Sequence, residues 1–242
     1  MQSDLAIVIL NYNTCHLLNT YLPSVVKHSN GYRIIFVDNA SKDESVNFVR
    51  ENYPQIEVIC LEENYGFTGG YNRALKQIKA KYYCLLNTDV EVTENWIEPI
   101  INLMEGDEKI AVCQPKLLSY TEKNKFEYAG AAGGFIDYLG YPFCAGRIFD
   151  TIEEDKGQYN EIQEIFWASG AAFFIRSELY HQFGGLDENY FAHFEEIDLC
   201  WRLKNEGYKI YCNPNSIVYH LGGGTLNKTS PFKTYLNFRN SL

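Results

Sequence analysis

Four apolar runs in the first half of this chain each end in side chains suited to recognising a nucleotide. Leu5–Leu10 ends at Asn11 and Asn13, Tyr32–Val37 at Asp38 and Asn39, Ile56–Leu61 is followed by Asn64, and Tyr82–Leu86 ends at Asn87-Thr88-Asp89. A carboxylate such as Asp38 can accept from the imide N–H of a uracil or thymine, and side-chain amides can reach base and ribose edges. Taken singly, each cluster is an ordinary cap or turn. Four of them at one edge of one sheet would line a single crevice. Gly66, Gly69 and Gly70 would let backbone approach a nucleotide, but their spacing matches neither the dinucleotide nor the P-loop fingerprint.

Two further clusters lie in the second half. Glu195, Glu196 and Asp198 open a helical pattern, with Asp198 and Arg202 at ion-pair spacing. Acids in a first helical turn ordinarily compensate the helix dipole, worth about 0.3–1 kcal/mol each. His220 follows the strand-like Ser216–Tyr219 and precedes Leu221 and three glycines. The plain alternative there is a buried imidazole bonded to backbone. His16, His28 and His181 lie in amphipathic stretches and read as structural or exposed.

The elements that must position these groups follow from hydrophobic period. Leu17, Leu18, Tyr21, Leu22 and Val25 recur at helical spacing after the first strand. Val46, Phe48 and Val49 do so after the second, with Ser41 or Asp43 as N-cap. A third helix is predicted over Phe67–Lys79. This alternation implies right-handed crossovers and an α/β fold with a doubly wound, mainly parallel sheet. Later, Phe126–Arg147 is rich in Gly, Ala and aromatics without a period and reads as a long functional loop carrying one cation, Arg147. Ile165–Arg176 reads as two short strands around Ser169-Gly170-Ala171, and the helix from the acidic cluster to Gly207 should bury Ile197, Cys200 and Trp201.

Composition narrows the function. The chain has 242 residues, 46% hydrophobic and 15% aromatic, enough for a substantial core. A formal charge of -10 without a dense Lys/Arg run argues against a nucleic-acid partner, so an anionic ligand would need a metal or local donors. Seven cysteines without a CxxC pair read as reduced core thiols (Cys60, Cys84, Cys113, Cys200 and Cys212 among them), which predicts a cytoplasmic setting. No signal peptide or apolar run of spanning length is evident.

IVILNYN (Ile7–Asn13), VDNASKDES (Val37–Ser45), NYGFTGGYN (Asn64–Asn72) and LLNTDV (Leu85–Val90), in this order, resemble the donor-binding half of family-2 glycosyltransferases with the GT-A fold, in particular the bacterial rhamnosyltransferase-like subgroup. With EEID (Glu195–Asp198) and HLGGGT (His220–Thr225), the resemblance covers essentially the whole chain as one GT-A domain, with a donor half over 1–117 and an acceptor half over 118–242 that adds a small sheet and a long loop. It implies an inverting transfer from a UDP-, dTDP- or GDP-linked sugar to a glycan or lipid-linked acceptor, in cell-surface polysaccharide or lipid-linked glycan synthesis. Asp38 would contact the base, and Asn11, Asn64 and Asn72 would shape the nucleoside pocket. Asn87-Thr88-Asp89 stands where the family has its DxD metal motif, which gives Asp89 the metal bond and leaves Asn87 a water-mediated or sugar contact. His220 would complete a site for Mg²⁺ or Mn²⁺. Glu196 occupies the catalytic-base position, with Glu195 as the alternative; Arg147, Glu195 and Arg202 are candidate acceptor or phosphate contacts. The helix N-terminus would keep Glu196 ionised while Glu195 and Asp198 raise its pKa.

The basic tail, with Lys228, Lys233 and Arg239, ends on Arg239-Asn240-Ser241-Leu242. The resemblance implies a membrane-associating segment beyond it and a place at the cytoplasmic face of the inner membrane. Two other readings compete. A sugar-nucleotide nucleotidyltransferase would want a Gly-rich basic loop after the first strand, where Asn11-Tyr12-Asn13-Thr14 is neither. A non-catalytic sugar-nucleotide or glycan-binding module would not need Asp89, Glu196 and His220 together.

Overall fold

The computed structural model describes residues 4–222 and 231–240. Gly223, Gly224, Thr225 and Lys228, part of the glycine hinge and basic tail singled out above, lie outside the described residues. The four predicted strands form: β1 (Leu5–Asn11), β2 (Arg33–Asp38), β3 (Glu57–Cys60) and β4 (Tyr82–Leu86). Between them run α1 (Cys15–His28), α2 (Ser45–Asn52) and α3 (Gly66–Leu75). β1 lies parallel to both β2 and β4, and β3 is parallel to β2. Asn11 is therefore paired with Asp38, and Ile9 with Leu86, so the polar ends emerge at one edge.

Helix α3 stops before the predicted Lys79. Its chain tightens into i→i+3 bonds from Gln77 to Ala74 and from Ile78 to Leu75, and the Tyr83 hydroxyl donates to the Ile78 carbonyl. At α2 the N-cap position is Glu44, but Asp43 accepts the Ser45 N–H at 3.1 Å and the Cys15 N–H at 2.9 Å, so one carboxylate serves the starts of two helices.

After β4 come β5 (Val90–Val92), α4 (Glu98–Gly106) and β6 (Ile110–Ser119). The expected long loop folds into two small antiparallel pairs: β7 (Gly134–Ile136) with β8 (Pro142–Cys144), and β9 (Arg147–Ile148) with β10 (Thr151–Ile152). Strands β11 (Gln163–Ile165) and β12 (Ala172–Arg176) flank Ser169-Gly170-Ala171. They do not pair with each other: β11 joins the twelve-residue β13 (Lys209–His220), whereas β12 inserts antiparallel between β4 and β6. Helices α5 (Ser177–Gln182), α6 (Glu195–Asn205) and α7 (Pro231–Asn240) complete the chain. The sheet order is β11-β13-β6-β12-β4-β1-β2-β3, with β5 on β13, so strands of both halves share one sheet.

Both faces of this sheet are covered. In β1, Ala6 and Val8 face one core with Tyr71, Leu75, Leu199 and Leu203, while Leu5, Ile7 and Ile9 face another with Leu18, Leu22, Ile100 and Met104. Burial on both sides explains why the strands read as unbroken apolar runs. Two expectations fail on packing. Trp201 is 43% exposed and rests edge-on against Phe166, because the buried stripe of α6 runs through Leu199, Cys200 and Leu203. Cys60 is exposed at the end of β3, an edge strand, whereas Cys84, Cys113, Cys144, Cys200 and Cys212 are buried free thiols. Among the described residues no helix is long and apolar enough to cross a membrane.

Candidate active site

The polar ends of β1, β2 and β4 open on a crevice of about 820 Å³. Asn11, Asn39, Asn64 and Asn87-Thr88-Asp89 line one wall, as their strand positions require. Their side chains are tied to one another. Asn39 donates to Asn64 Oδ1 at 3.0 Å and to the Gly66 carbonyl at 2.8 Å, and accepts the Tyr65 N–H. Asn11 donates to Asp38 and to Ser41 Oγ, and its side-chain Oδ1 accepts the Thr14 hydroxyl. Gly66 has φ +71°, and a Cβ there would lie 2.6 Å from the Phe191 ring, so this turn admits only glycine.

Three predicted site residues are placed elsewhere. Asp38 is not on the crevice wall: one carboxylate oxygen accepts from Asn11 at 3.1 Å, the other from the Ser41 N–H at 2.9 Å. Its carboxylate orients Asn11 and closes the turn at Ser41. Asn72 lines a separate cavity of about 500 Å³, where it donates to the Leu186 carbonyl and accepts the Tyr180 hydroxyl, pinning α3 to the chain after α5. Arg202 lines that same second cavity, with its guanidinium on Asp198 at 2.7 Å and on the Phe183 and Gly185 carbonyls. The expected ion pair is formed, and it holds α6 to the preceding loop.

Asp89 and His220 meet as expected, although 131 residues separate them in the chain. β13 pairs His220 with Val90 of β5, and the Leu221 N–H bonds the Asp89 carbonyl. His220 Nε2 is 3.1 Å from Asp89 Oδ1, and Nδ1 is 3.4 Å from Glu127 Oε1. Burial disfavours the charged imidazole, but the charge and hydrogen bond of Asp89, then those of Glu127, outweigh it and push His220 up to about 10. Glu127, buried and fixed by the Ala129 N–H, is a site residue that sequence reasoning missed. Its only signal was a lone acid in a Gly- and Ala-rich stretch.

Helix α6 brings the acidic pair to the same crevice through an unusual entry. Phe191, His193 and Phe194 all have left-handed φ, +64°, +69° and +73°. Bulky residues there cost about 1–3 kcal/mol each and persist only where the surroundings over-determine them. Glu195 is buried, and burial followed by the charge of Glu196 raises its carboxyl well above the usual range. Glu196 is also raised by burial, but its own N–H and that of Gly170 offset part of the shift. Both carboxyls of this pair are held above the ordinary range, so the pair keeps a proton where a lone exposed carboxyl would not. The cause differs from the sequence expectation: desolvation dominates, and Asp198 is turned away onto Arg202.

Arg147 lines the crevice with its guanidinium 4.1 Å over the Tyr128 ring. Its Nε is buried without a hydrogen-bond partner, as are His193 Nε2, Glu195 Oε2 and Glu196 Oε2. Burial, and then the charge of Lys233, lowers His193 to about 4, so its ring is neutral. Phe232, Lys233 and Phe238 of α7 add a wall that no motif in the sequence announced.

A nucleotide-scale crevice at the carboxyl edge of a doubly wound sheet, with an acid–imidazole pair and a buried carboxyl pair in its walls, defines a group-transfer enzyme of the GT-A type. The profile of glycosyl transferase family 2 matches residues 6–183, and the chain belongs to that family. It is a glycosyltransferase. A low-salt glycan biosynthesis hexosyltransferase of Haloferax volcanii is 22% identical over 99% of this chain and 75% of its own length. An N-acetylglucosaminyl-diphospho-decaprenol L-rhamnosyltransferase of Mycobacterium tuberculosis is 22% identical over 91% of this chain and 76% of its own. Among solved structures, GalNAc-T7 with UDP, GalNAc and Mn²⁺ shares the fold at TM-score 0.69 and 16% identity, covering 90% of this chain and 44% of that one. The mannosyltransferase PcManGT from Pyrobaculum calidifontis, with GDP-Man and Mn²⁺, gives 0.62 and 13%, over 91% of this chain and 57% of that one.

Proposed function

We propose that this chain transfers a sugar, with inversion at the anomeric carbon, from a UDP-, dTDP- or GDP-linked donor to a hydroxyl of a glycan or lipid-linked acceptor. The observation that carries the reading is the convergence of Asp89, His220 and Glu196 on one crevice from three distant parts of the chain. Asn11, Asn64 and Asn87 hold the nucleoside and sugar, with Asp38 acting through Asn11.

The residues fit a divalent cation. Asp89 Oδ1 and His220 Nε2 share a hydrogen bond at 3.1 Å, and a cation bound there would take the place of the proton between them, with the carboxylate and the neutral imidazole as its protein ligands. Among the described residues no group of three or more His, Cys, Asp or Glu side chains is arranged to hold a metal, so these two would share Mg²⁺ or Mn²⁺ with diphosphate oxygens. Bound there, the cation would neutralise charge on the leaving diphosphate. Glu127 would orient the imidazole through Nδ1.

Glu196 takes the proton of the acceptor hydroxyl as that oxygen bonds to the anomeric carbon, and the C–O bond to the diphosphate breaks with its electron pair leaving on phosphate. Glu195 and Arg147, each with a buried polar atom that no protein group satisfies, offer it to acceptor or phosphate. The relatives named for glycan and decaprenyl-diphosphate substrates support this acceptor class. A membrane-associated setting at the cytoplasmic face accords with such substrates. The test is release of nucleoside diphosphate from a panel of UDP-, dTDP- and GDP-hexoses with Mn²⁺ and with EDTA. Metal-dependent release from at least one donor is expected; tight binding without release from any would favour a binding module.

A further inference from the structure

The left-handed turn before α6 is held by two side chains that no motif of the site includes. Asn240 Nδ2 donates to the carbonyls of Tyr190 at 3.1 Å, Ala192 at 2.9 Å and His193 at 2.7 Å. Arg239 Nη2 donates to the carbonyls of Asn189 at 2.8 Å and Tyr190 at 2.7 Å. The Phe191 carbonyl accepts the Phe67 N–H at the start of α3, and the Phe194 carbonyl accepts the Asp198 N–H inside α6. Every carbonyl from Asn189 to Phe194 thus has a donor, four of the six from the end of α7. Buried backbone carbonyls outside the ladder of a helix or sheet need such partners. Phe232, two turns earlier along the same side of α7, packs edge-on against Phe191 at 5.9 Å.

We propose that Asn240, assisted by Arg239, is a positioning residue for the transfer reaction: it clamps the Asn189–Phe194 turn so that α6 presents Glu196 to the acceptor. This rests on Glu196 being the base. Arg239 and Asn240 do not themselves line the crevice, and the turn they hold meets the donor wall at one place, where Phe191 touches Gly66 and Phe67, so the clamp governs turnover more than donor affinity. Arg239 is exposed and reaches only the outer carbonyls, whereas the half-buried Asn240 holds the two nearest Glu195. Asn240 is therefore the stronger partner.

The test is a double-mutant cycle with Asn240→Ala and Glu196→Gln, read as nucleoside diphosphate release from whichever UDP-, dTDP- or GDP-hexose the parent turns over. Misplacing a catalytic group by about 1 Å costs on the order of 10²-fold, so Asn240→Ala should lower kcat by up to that factor with a much smaller change in donor KM. In the Glu196→Gln background the same substitution should cost less than about threefold, because residues acting as a unit are not additive. Arg239→Gln, a milder cut, should give a smaller loss in the same direction. Hydrogen exchange gives a readout independent of turnover: the amides of Phe67, Thr68 and Asp198 should exchange faster in Asn240→Ala. A parental rate for Asn240→Ala beside a slowed Glu196→Gln, an equal loss in both backgrounds, or unchanged exchange at those amides overturns the clamp alone. A parental rate for Glu196→Gln by itself overturns the base assignment and the clamp's route with it.

Discussion

On the donor wall, Asn11, Asn39 and Asn64 turn their polar atoms on one another and on the chain around them; on the base wall, Arg147, His193, Glu195 and Glu196 each bury a polar atom with no protein partner. A buried donor or acceptor left unpaired costs about 1–3 kcal/mol. The donor wall is thus a finished structural network that a nucleotide can rest on. The base wall holds its carboxyls away from water in wait for a ligand, and the same desolvation raises their pKa. The difference follows from their origins. The first wall is made by strand ends in register, the second by a strained turn, a helix start and the small β7–β10 pairs.

The largest effect that would sharpen this contrast lies on the base wall. Glu196→Gln keeps shape but cannot take the proton, so turnover should fall about 10²- to 10⁴-fold while calorimetry shows donor affinity barely changed. Normal turnover in Glu196→Gln with a dead Glu195→Gln would reverse the two roles. At the junction of the walls, Asp89→Ala should abolish the Mn²⁺-dependent part of donor binding with circular dichroism unchanged; a metal response of parental size would remove Asp89 from the site.

On the donor wall the expected loss is one of stability. Asn39→Ala orphans the Tyr65 N–H and the Gly66 carbonyl, and denaturant unfolding should register about 1–3 kcal/mol. A neutral result would mean that this wall is held by packing instead. The pH profile should separate the walls more subtly. Glu196 must be ionised to act, and its pKa is raised, so kcat should fall on the acid side at a pH above that of an ordinary carboxylate, while donor-wall stability shows no matching step. An acid limb at the ordinary carboxylate pKa would contradict the buried pair.

The smallest effect is expected for Arg202→Lys. It weakens the bond network to Asp198, Phe183 and Gly185 outside the crevice, so it should lower the melting temperature slightly and leave KM for the donor unchanged. A raised donor or acceptor KM would return Arg202 to the site.

Local information sufficed for the donor wall. Strand periodicity placed Asn11, Asn39, Asn64 and Asp89 at one sheet edge, because a parallel strand in a doubly wound sheet announces itself by a continuous apolar run and ends at the ligand edge. It did not say which polar ends face the crevice. Asp38 ends a strand as Asn11 does, and Asn72 sits inside α3; the direction each side chain takes, and partners such as Ser41 and Leu186, are set by packing that pattern cannot specify. The pairing of Asp89 with His220 depended on β13 running back beside β5, and Glu127 joined them only because a stretch that read as a loop folds over that strand end. The desolvation that raises both Glu195 and Glu196, the left-handed entry to α6 and the carbonyls held by Asn240 are likewise products of packing between segments far apart in the chain. The sequence alone determined the family, the sheet and the residue types available for chemistry. Which of them share a dielectric environment, and therefore a proton or a cation, was decided by tertiary structure, since burial and charge proximity are properties of neighbours in space.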